Sequence, residues 1–376
     1  MTDNSTLMEA FQTLVDVALA SGKGGFRVNA YRKVLKALQS SDTPPLNTEE
    51  ALDMLRVNGM ALKTERRGGP YKSGILLKFG ELFEKGNLAV LEKAKVDPEV
   101  KAVRDLVRIP EIGPAKAKAL YGAGITSVAE LEKLVAVYDK EGRGDADYPI
   151  HNKQRLGLRH YRDLEKRIPR TEMDQWRDYL EGVVEALDIP CHACELVGSY
   201  RRGAENSGDI DFHICVDKGE SHESHLTVLR DIYEYLVSDG ILTPSDVWSR
   251  GDHKLMAVVK LDPGYTHRHL DVWIFTEEQY PAALLYATGS ATFNIEMRNH
   301  AISLGWSLSD KGLRKGSPKG RPPTEEECQE KLGYPGIRSE QDIFRFLGLE
   351  WVEPPHRGVL HPTELLSNLP SDDVEC

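Results

Sequence analysis

The sequence predicts an α+β multidomain protein, with a helical N-terminal region, a mixed α/β domain and a C-terminal α+β subdomain. Three observations carry that reading. Between residues 7 and 86 apolar side chains recur at helical spacing: Leu7, Phe11, Leu14, Val15 and Ala18, then Tyr31, Val34, Leu35 and Leu38. From about Cys194 the period falls to two, with Ile210, Phe212, Ile214 and Val216 on one face. The net charge of −11 hides a division, because residues 1–170 carry +6 and leave −17 for the remainder.

Taken in order, the helical region is broken at residues 22–25, at Pro44-Pro45 and at residues 68–70, where glycine and proline interrupt the pattern. Short helices are expected over 89–134, and the polar stretch 139–147, with Gly142 and Gly144, reads as a loop. Strands over 255–261 and 269–275, joined to helices over 171–187 and 223–238, make the second region α/β. The tail holds a compact helix at 339–347 and an acidic, frayed end at 371–376.

Composition narrows the classes. With 40% hydrophobic and 28% charged residues, the chain has material for buried cores. Its apolar runs fall far short of a membrane span, and the acidic opening Met1-Thr2-Asp3-Asn4 is unlike a secretion signal. Five cysteines form no disulfide framework and suit a reducing compartment. The basic stretches 21–80, at +6, and 151–170, at +5, keep a polyanion partner open despite the acidic average.

The segment Ile109-Pro110-Glu111-Ile112-Gly113-Pro114-Ala115-Lys116-Ala117-Lys118-Ala119-Leu120 has the form of a hairpin entering a helix. Gly113 permits a close turn, Pro114 suits a first helical position, and the free amides there can grip a DNA phosphate, with Lys116 and Lys118 adding charge. Glu111 stands where such hairpins often carry a second glycine. In Tyr71-Lys72-Ser73-Gly74-Ile75-Leu76-Leu77-Lys78-Phe79, Lys78 lies between apolar neighbours. Partial desolvation beside other cations would free its amine to attack a carbonyl; a snorkelling surface lysine is the alternative.

The richest stretch is Leu196-Val197-Gly198-Ser199-Tyr200-Arg201-Arg202-Gly203-Ala204-Glu205-Asn206-Ser207-Gly208-Asp209-Ile210-Asp211-Phe212. A strand entering Gly198-Ser199 and a short helix presents a hydroxyl and Arg202 to a phosphate chain, and Gly208 allows close backbone approach. Period two places Asp209 and Asp211 on one face, where they can share divalent cations. Asp271, in His269-Leu270-Asp271-Val272-Trp273, supplies the third carboxylate needed to hold two ions. Two Mg²⁺ ions, or Mn²⁺ in their place, with a triphosphate and an attacking hydroxyl imply nucleotidyl transfer. Glu195, Glu205 and Asp217 are assigned to supporting or surface positions. Downstream, Tyr286, Gly289, Asn294 and Arg298 form a loop-to-helix junction suited to the sugar and base of a nucleotide, with Asn294 and Arg298 four apart on one face.

These residues resemble the family X DNA polymerases, most closely their β-type members. The likeness covers nearly the whole chain. It takes in Val28-Asn29-Ala30-Tyr31-Arg32-Lys33, the hairpin at 109–120, Gln154-Arg155-Leu156-Gly157-Leu158, Glu165-Lys166-Arg167-Ile168-Pro169-Arg170, the 198–211 signature and the 286–298 segment. The resemblance implies four parts: a helical 5′-deoxyribose-phosphate lyase domain (1–92), a helix–hairpin–helix DNA-binding subdomain (93–154), a nucleotidyltransferase palm (155–275) and a nucleotide-selection subdomain (276–376). It makes Asp209, Asp211 and Asp271 metal ligands, with Asp271 nearest the primer 3′-hydroxyl. Arg155, Ser199, Arg202 and Gly208 would hold the triphosphate. Tyr286 and Gly289 would sense the 2′-position, Asn294 the minor-groove edge of the incoming base and Arg298 the template strand. Gly113, Pro114 and Lys116 would hold DNA. Lys78 would be the Schiff-base amine, with Arg27, Lys72 and Arg67 as phosphate contacts. The implied partners are gapped or nicked DNA, a dNTP and other base-excision repair proteins, for a monomer in the nucleus or mitochondrion without a membrane.

Departures accompany the likeness. His269 and Trp273 stand where the family commonly has arginine, and Ala291 replaces an aspartate beside the incoming base. The stretch 311–321, net +5, reads as a further DNA contact or a mobile solvated loop. Other functions are a template-independent terminal transferase, for which no template-discarding loop is evident, and a DNA-binding scaffold, which loss of an acid would mark. A small-molecule nucleotidyltransferase shares the Gly-Ser and Asp-x-Asp pattern but leaves the basic hairpin domains without a purpose.

Overall fold

In the computed structural model, residues 4–22, 25–39, 41, 43–57, 60, 74–216 and 222–358 are described. The chain divides into two units, residues 1–161 and 162–376.

The apolar periodicity of the first unit produces helices α1 (Asn4–Ala20), α2 (Gly25–Gln39), α3 (Thr48–Val57), α4 (Gly74–Lys85), α5 (Ala89–Val96), α6 (Pro98–Leu106), α7 (Pro114–Gly122) and α8 (Val128–Glu141), and α9 (Asn152–Leu164) crosses the division. Three of the starts are capped by a side chain. Asn47 Oδ1 accepts the amides of Glu49 and Glu50 before α3, Asp97 accepts that of Glu99 before α6, and Ser127 that of Glu130 before α8. Gly142, at φ +63°, ends α8. The expected loop over 139–147 is therefore helical for its first three residues, because good helix formers continue the pattern up to that glycine.

Two cores form in this unit. Leu7, Phe11, Val34, Leu38, Leu55, Leu76 and Phe79 make one, and Val103, Leu106, Ile109, Leu120, Leu131 and Leu158 make the other. Gly157 is required by close packing: a Cβ there would meet the carbonyl oxygen of Pro110 at 2.5 Å. Gln154, buried beside it, donates to the carbonyl of Glu111 at 2.8 Å and ties α9 to the hairpin turn.

The second unit contains β1 (Ile168–Pro169), α10 (Arg170–Ala186), β2 (Cys191–Leu196), α11 (Gly198–Arg201), β3 (Asn206–Ser207), β4 (Ile210–Val216), α12 (His222–Ser238), β5 (Leu242–Arg250), β6 (Lys254–Val259) and β7 (Arg268–Thr276). It continues with α13 (Tyr280–Thr288), α14 (Ala291–Ser303), β8 (Trp306–Ser309), β9 (Gly312–Lys315), α15 (Glu325–Leu332) and α16 (Glu340–Phe346). Five strands make a sheet in the order β2-β4-β7-β6-β5, in which only β4 and β7 are parallel among the described pairs. Alternation buries Ile210, Phe212, Ile214, Leu270, Val272 and Ile274 against Trp176, Leu180, Val183, Leu229 and Ile232 of α10 and α12. The opposite face carries Asp211, His213, Lys254, His269, Asp271 and Trp273, and this sets the site. A separate core over Phe293, Met297, Trp306, Leu313, Phe344 and Phe346 supports the C-terminal part.

The stretch 311–321 is better ordered than a solvated loop. Residues 312–315 pair as β9, and Glu327 binds both Lys315, at 2.8 Å, and Arg321, at 2.6 Å, which pulls the segment onto α15. The acidic end at 371–376 lies outside the described residues.

Candidate active site

The site is built by strand register. Asp211 of β4 stands opposite Asp271 of β7 in the parallel ladder, and Asp209, exposed, precedes β4 by one residue. Leu270 and Val272, both 0% exposed, point into the core, so the pleat turns Asp271 to the other face. On that face β7 also carries His269, Trp273 and Phe275, and β6 presents Lys254 opposite Trp273.

Charge on this face is unevenly distributed. Burial first, then the neighbouring charges of Asp209 and Asp271, push the Asp211 carboxyl up to about 7. Burial also acts to raise Asp271, but it is outweighed by His269 Nε2, 2.8 Å from Oδ1, and Lys254 Nζ, 3.0 Å from Oδ2, which hold it below its ordinary range. His213, on the same face of β4, stays neutral because burial drives it down to about 3. Three hard-oxygen donors, two of which raise the proton affinity of Asp211, suit a divalent cation such as Mg²⁺. Among the described residues no three His, Cys, Asp or Glu side chains already form a ligand set, and both oxygens of Asp271 are taken by cationic or donor partners.

Beside the acids, β2 runs into Gly198, whose φ of +63° turns the chain into α11. A Cβ on Gly198 would lie 3.1 Å from Asp211 Oδ2, so glycine is needed for the approach. Ser199 Oγ bonds Ser207 Oγ at 2.9 Å, and Arg202 donates to the carbonyl of Thr288. Burial lowers the Arg202 guanidinium below its usual range. Gly208 makes room for Arg167, whose Nη1 a Cβ would meet at 2.9 Å; Arg167 in turn holds Asn206 at 2.7 Å.

The segment 286–298 folds on itself. Gly289, at φ +67°, separates α13 from α14, and the Gly289-Ser290 peptide is cis. Asn294 Nδ2 donates to the carbonyl of Tyr286 at 2.7 Å and Arg298 lies 4.9 Å above the Tyr286 ring, so the equal facing of the two side chains places both on that tyrosine. Tyr286 is 45% exposed.

Sequence reading missed the ions that join these parts. Arg201 donates to Glu195 at 2.8 Å, Thr288 at 2.7 Å and Glu340 at 2.7 Å; Arg357, fully buried, donates to the other oxygen of Glu340 at 2.7 Å. Glu195, assigned to a supporting position, fills it by also accepting Tyr280 Oη at 2.9 Å. Arg268 and Glu172 make a second buried pair at 2.6 Å. No local motif announces the pairing of Arg201 with Glu340 or of Arg268 with Glu172, because those partners lie 139 and 96 residues apart in sequence.

In the first unit, Pro114 takes the first helical position of α7 with Gly113 extended before it, and Glu111 adopts φ +66°, where glycine is usual. Lys116 is half-buried, whereas Lys118 is taken by Glu99 at 3.0 Å and the carbonyl of Ala20 at 3.2 Å. The Arg155 guanidinium is bound to Asp145 and stacks on Tyr148 at 3.9 Å. Lys78 is half-buried on α4 and makes no hydrogen bond or ion pair among the described residues. Lys72, Arg67 and Asp217 lie outside them.

A family model described as DNA polymerase beta palm matches residues 167–277, and one described as DNA polymerase beta thumb matches residues 283–358. DNA polymerase lambda of Rattus norvegicus is 28% identical across 88% of this chain and 52% of its own length. DNA polymerase lambda of Arabidopsis thaliana is 26% identical across 95% and 62%. A DNA nucleotidylexotransferase of Xenopus laevis is 25% identical across 64% and 50%. The chain spans 50% to 62% of the length of these relatives. The matches resolve the family without singling out β-type members within it. The palm match contains all three aspartates, Asp211 and Asp271 on paired strands and Asp209 just before the first of them, the thumb match contains Tyr286 through Arg357, and with its helical N-terminal region and mixed sheet the chain belongs to the family X DNA polymerases.

Proposed function

We propose that the protein is a gap-filling repair polymerase that transfers a nucleotide from a dNTP to a primer 3′-hydroxyl, with a 5′-deoxyribose-phosphate lyase activity in its first domain. The observation that carries the polymerase reading is the register of Asp211 against Asp271, with Asp209 two residues before Asp211. Asp209, Asp211 and Asp271 would hold two Mg²⁺ ions, which when bound supply a more acidic hydroxyl and charge neutralisation on the phosphates. Ser199 and Arg202 orient the triphosphate, and the exposed Tyr286 ring with Gly289 bounds the sugar. As the primer oxygen bonds to the α-phosphorus, the bond to the bridging oxygen breaks and pyrophosphate leaves. Arg155 is assigned to the triphosphate, Asn294 to the base, Gly208 to close backbone approach, and Arg298 to the template strand.

Gly113, Pro114 and Lys116 are assigned to a DNA phosphate, and Lys78 to the amine that attacks an abasic sugar carbonyl, losing water to form an imine before β-elimination. The four parts at 1–92, 93–154, 155–275 and 276–376 belong to the same proposal, as do nuclear or mitochondrial action and repair-protein partners. Extension of a primer across a one-nucleotide gap with Mg²⁺ tests it, set beside a single strand lacking template. Extension confined to the gapped duplex supports the reading. Equal extension of the single strand would favour the transferase activity named in the Xenopus laevis relative.

A further inference from the structure

The two oxygens of Asp271 are held in different ways. On Oδ1, His269 is braced from behind by Trp248, with ring centroids 4.6 Å apart. On Oδ2 the partner is the Lys254 ammonium at 3.0 Å, whose only further aromatic neighbour among the described residues is the Trp273 ring, 4.2 Å away. Lys254 is 23% exposed and reaches the acid on a flexible four-carbon stem, so it can withdraw without moving either strand. A metal ion needs the same oxygen lone pairs that the ammonium now occupies. The Trp273 face offers the displaced cation a resting place in contact with its present position.

We propose that Lys254 is a positioning residue that serves as the resident counter-ion of Asp271 and competes with an incoming divalent cation for Oδ2, with Trp273 as its seat. The proposal rests on the assignment of Asp271 as a metal ligand. It makes the apparent metal affinity of the site lower than its intrinsic value by the fraction of molecules in which Lys254 is engaged.

The test uses the full chain and Mn²⁺ alone, with free Mn²⁺ read by electron paramagnetic resonance. Lys254→Met keeps the stem and removes the charge, and it should tighten Mn²⁺ binding roughly three- to tenfold. Lys254→Arg should stay close to the parent. Unchanged or weaker binding in a folded Lys254→Met protein overturns the proposal. If that variant does not fold, the unaltered protein supplies the measurement: Mg²⁺ should speed acylation of Lys254, read by peptide mass spectrometry, and a rate indifferent to Mg²⁺ overturns the proposal. Asp271→Ala separates the two readings. Lost Mn²⁺ affinity there, with no gain in Lys254→Met, removes the counter-ion and leaves the metal ligand standing; unaltered affinity removes both.

Discussion

Asp211 and Asp271 occupy the same rung of the parallel β4–β7 ladder, so a backbone register, and not a loop, fixes which carboxylates meet. Replacing either acid with alanine should lower nucleotide insertion by about three orders of magnitude or more, as expected when a ligand for transition-state charge is lost. Single-nucleotide extension on a gapped duplex measures this. Retained insertion by Asp271→Ala would remove the two-metal assignment.

Lys78 belongs to a different unit of the chain from those acids. Lys78→Ala should abolish borohydride trapping of a 5′-deoxyribose-phosphate strand while leaving nucleotide insertion near the parent rate. Trapping at the parent level would show that another amine is the nucleophile.

At Gly157 a methyl group would press on backbone rather than on a movable side chain, since Pro110 O lies 2.5 Å from the site of a Cβ. Gly157→Ala should destabilise the first unit by about 1–3 kcal/mol, the usual cost of overpacking. Denaturant unfolding reports it, and a midpoint equal to the parent's would refute the close contact.

Arg357 has a side chain with 0% exposure, packed 4.7 Å from the Trp351 ring and paired with Glu340. Removing one partner of a buried pair typically costs about 3–5 kcal/mol. Arg357→Met should fall at the lower end, because Glu340 retains Arg201 at 2.7 Å. Chemical denaturation of the full chain would show the loss; a neutral effect would mean that the methionine packs as well as the ion pair.

Asp163 gives a pH dependence with a definite sign. Burial acts to raise its carboxyl, but hydrogen bonds from His267 and Lys166 outweigh that and hold it at about 2, below the ordinary 3.8. A folded-state value below the unfolded one contributes stability that is fully present above the unfolded value and is lost as pH falls through the folded one. The parent should therefore lose this contribution between about pH 4 and pH 2, and Asp163→Asn should lack it at neutral pH and show a shallower acid slope. Parallel acid unfolding curves for the two proteins would remove the assignment.

Much of the architecture was legible along the chain. Helical spacing marked the core residues of α1 and α2, and period two marked Ile210, Phe212 and Ile214 as inward-facing, because a regular backbone repeats its side-chain directions. The same rule put Asp271 opposite in facing to Leu270 and Val272. Spacing alone does not state which strands are neighbours or which charges neutralise one another. The parallel pairing of β4 with β7 skips α12, β5 and β6, and Lys254 reaches Asp271 only because β6 enters the sheet beside β7. Likewise Arg201 meets Glu340 through chain closure over more than a hundred residues. Local sequence determined the elements and the direction of their side chains; the tertiary fold decided the partners, since burial and Coulomb attraction act on distance in space and not on separation along the chain.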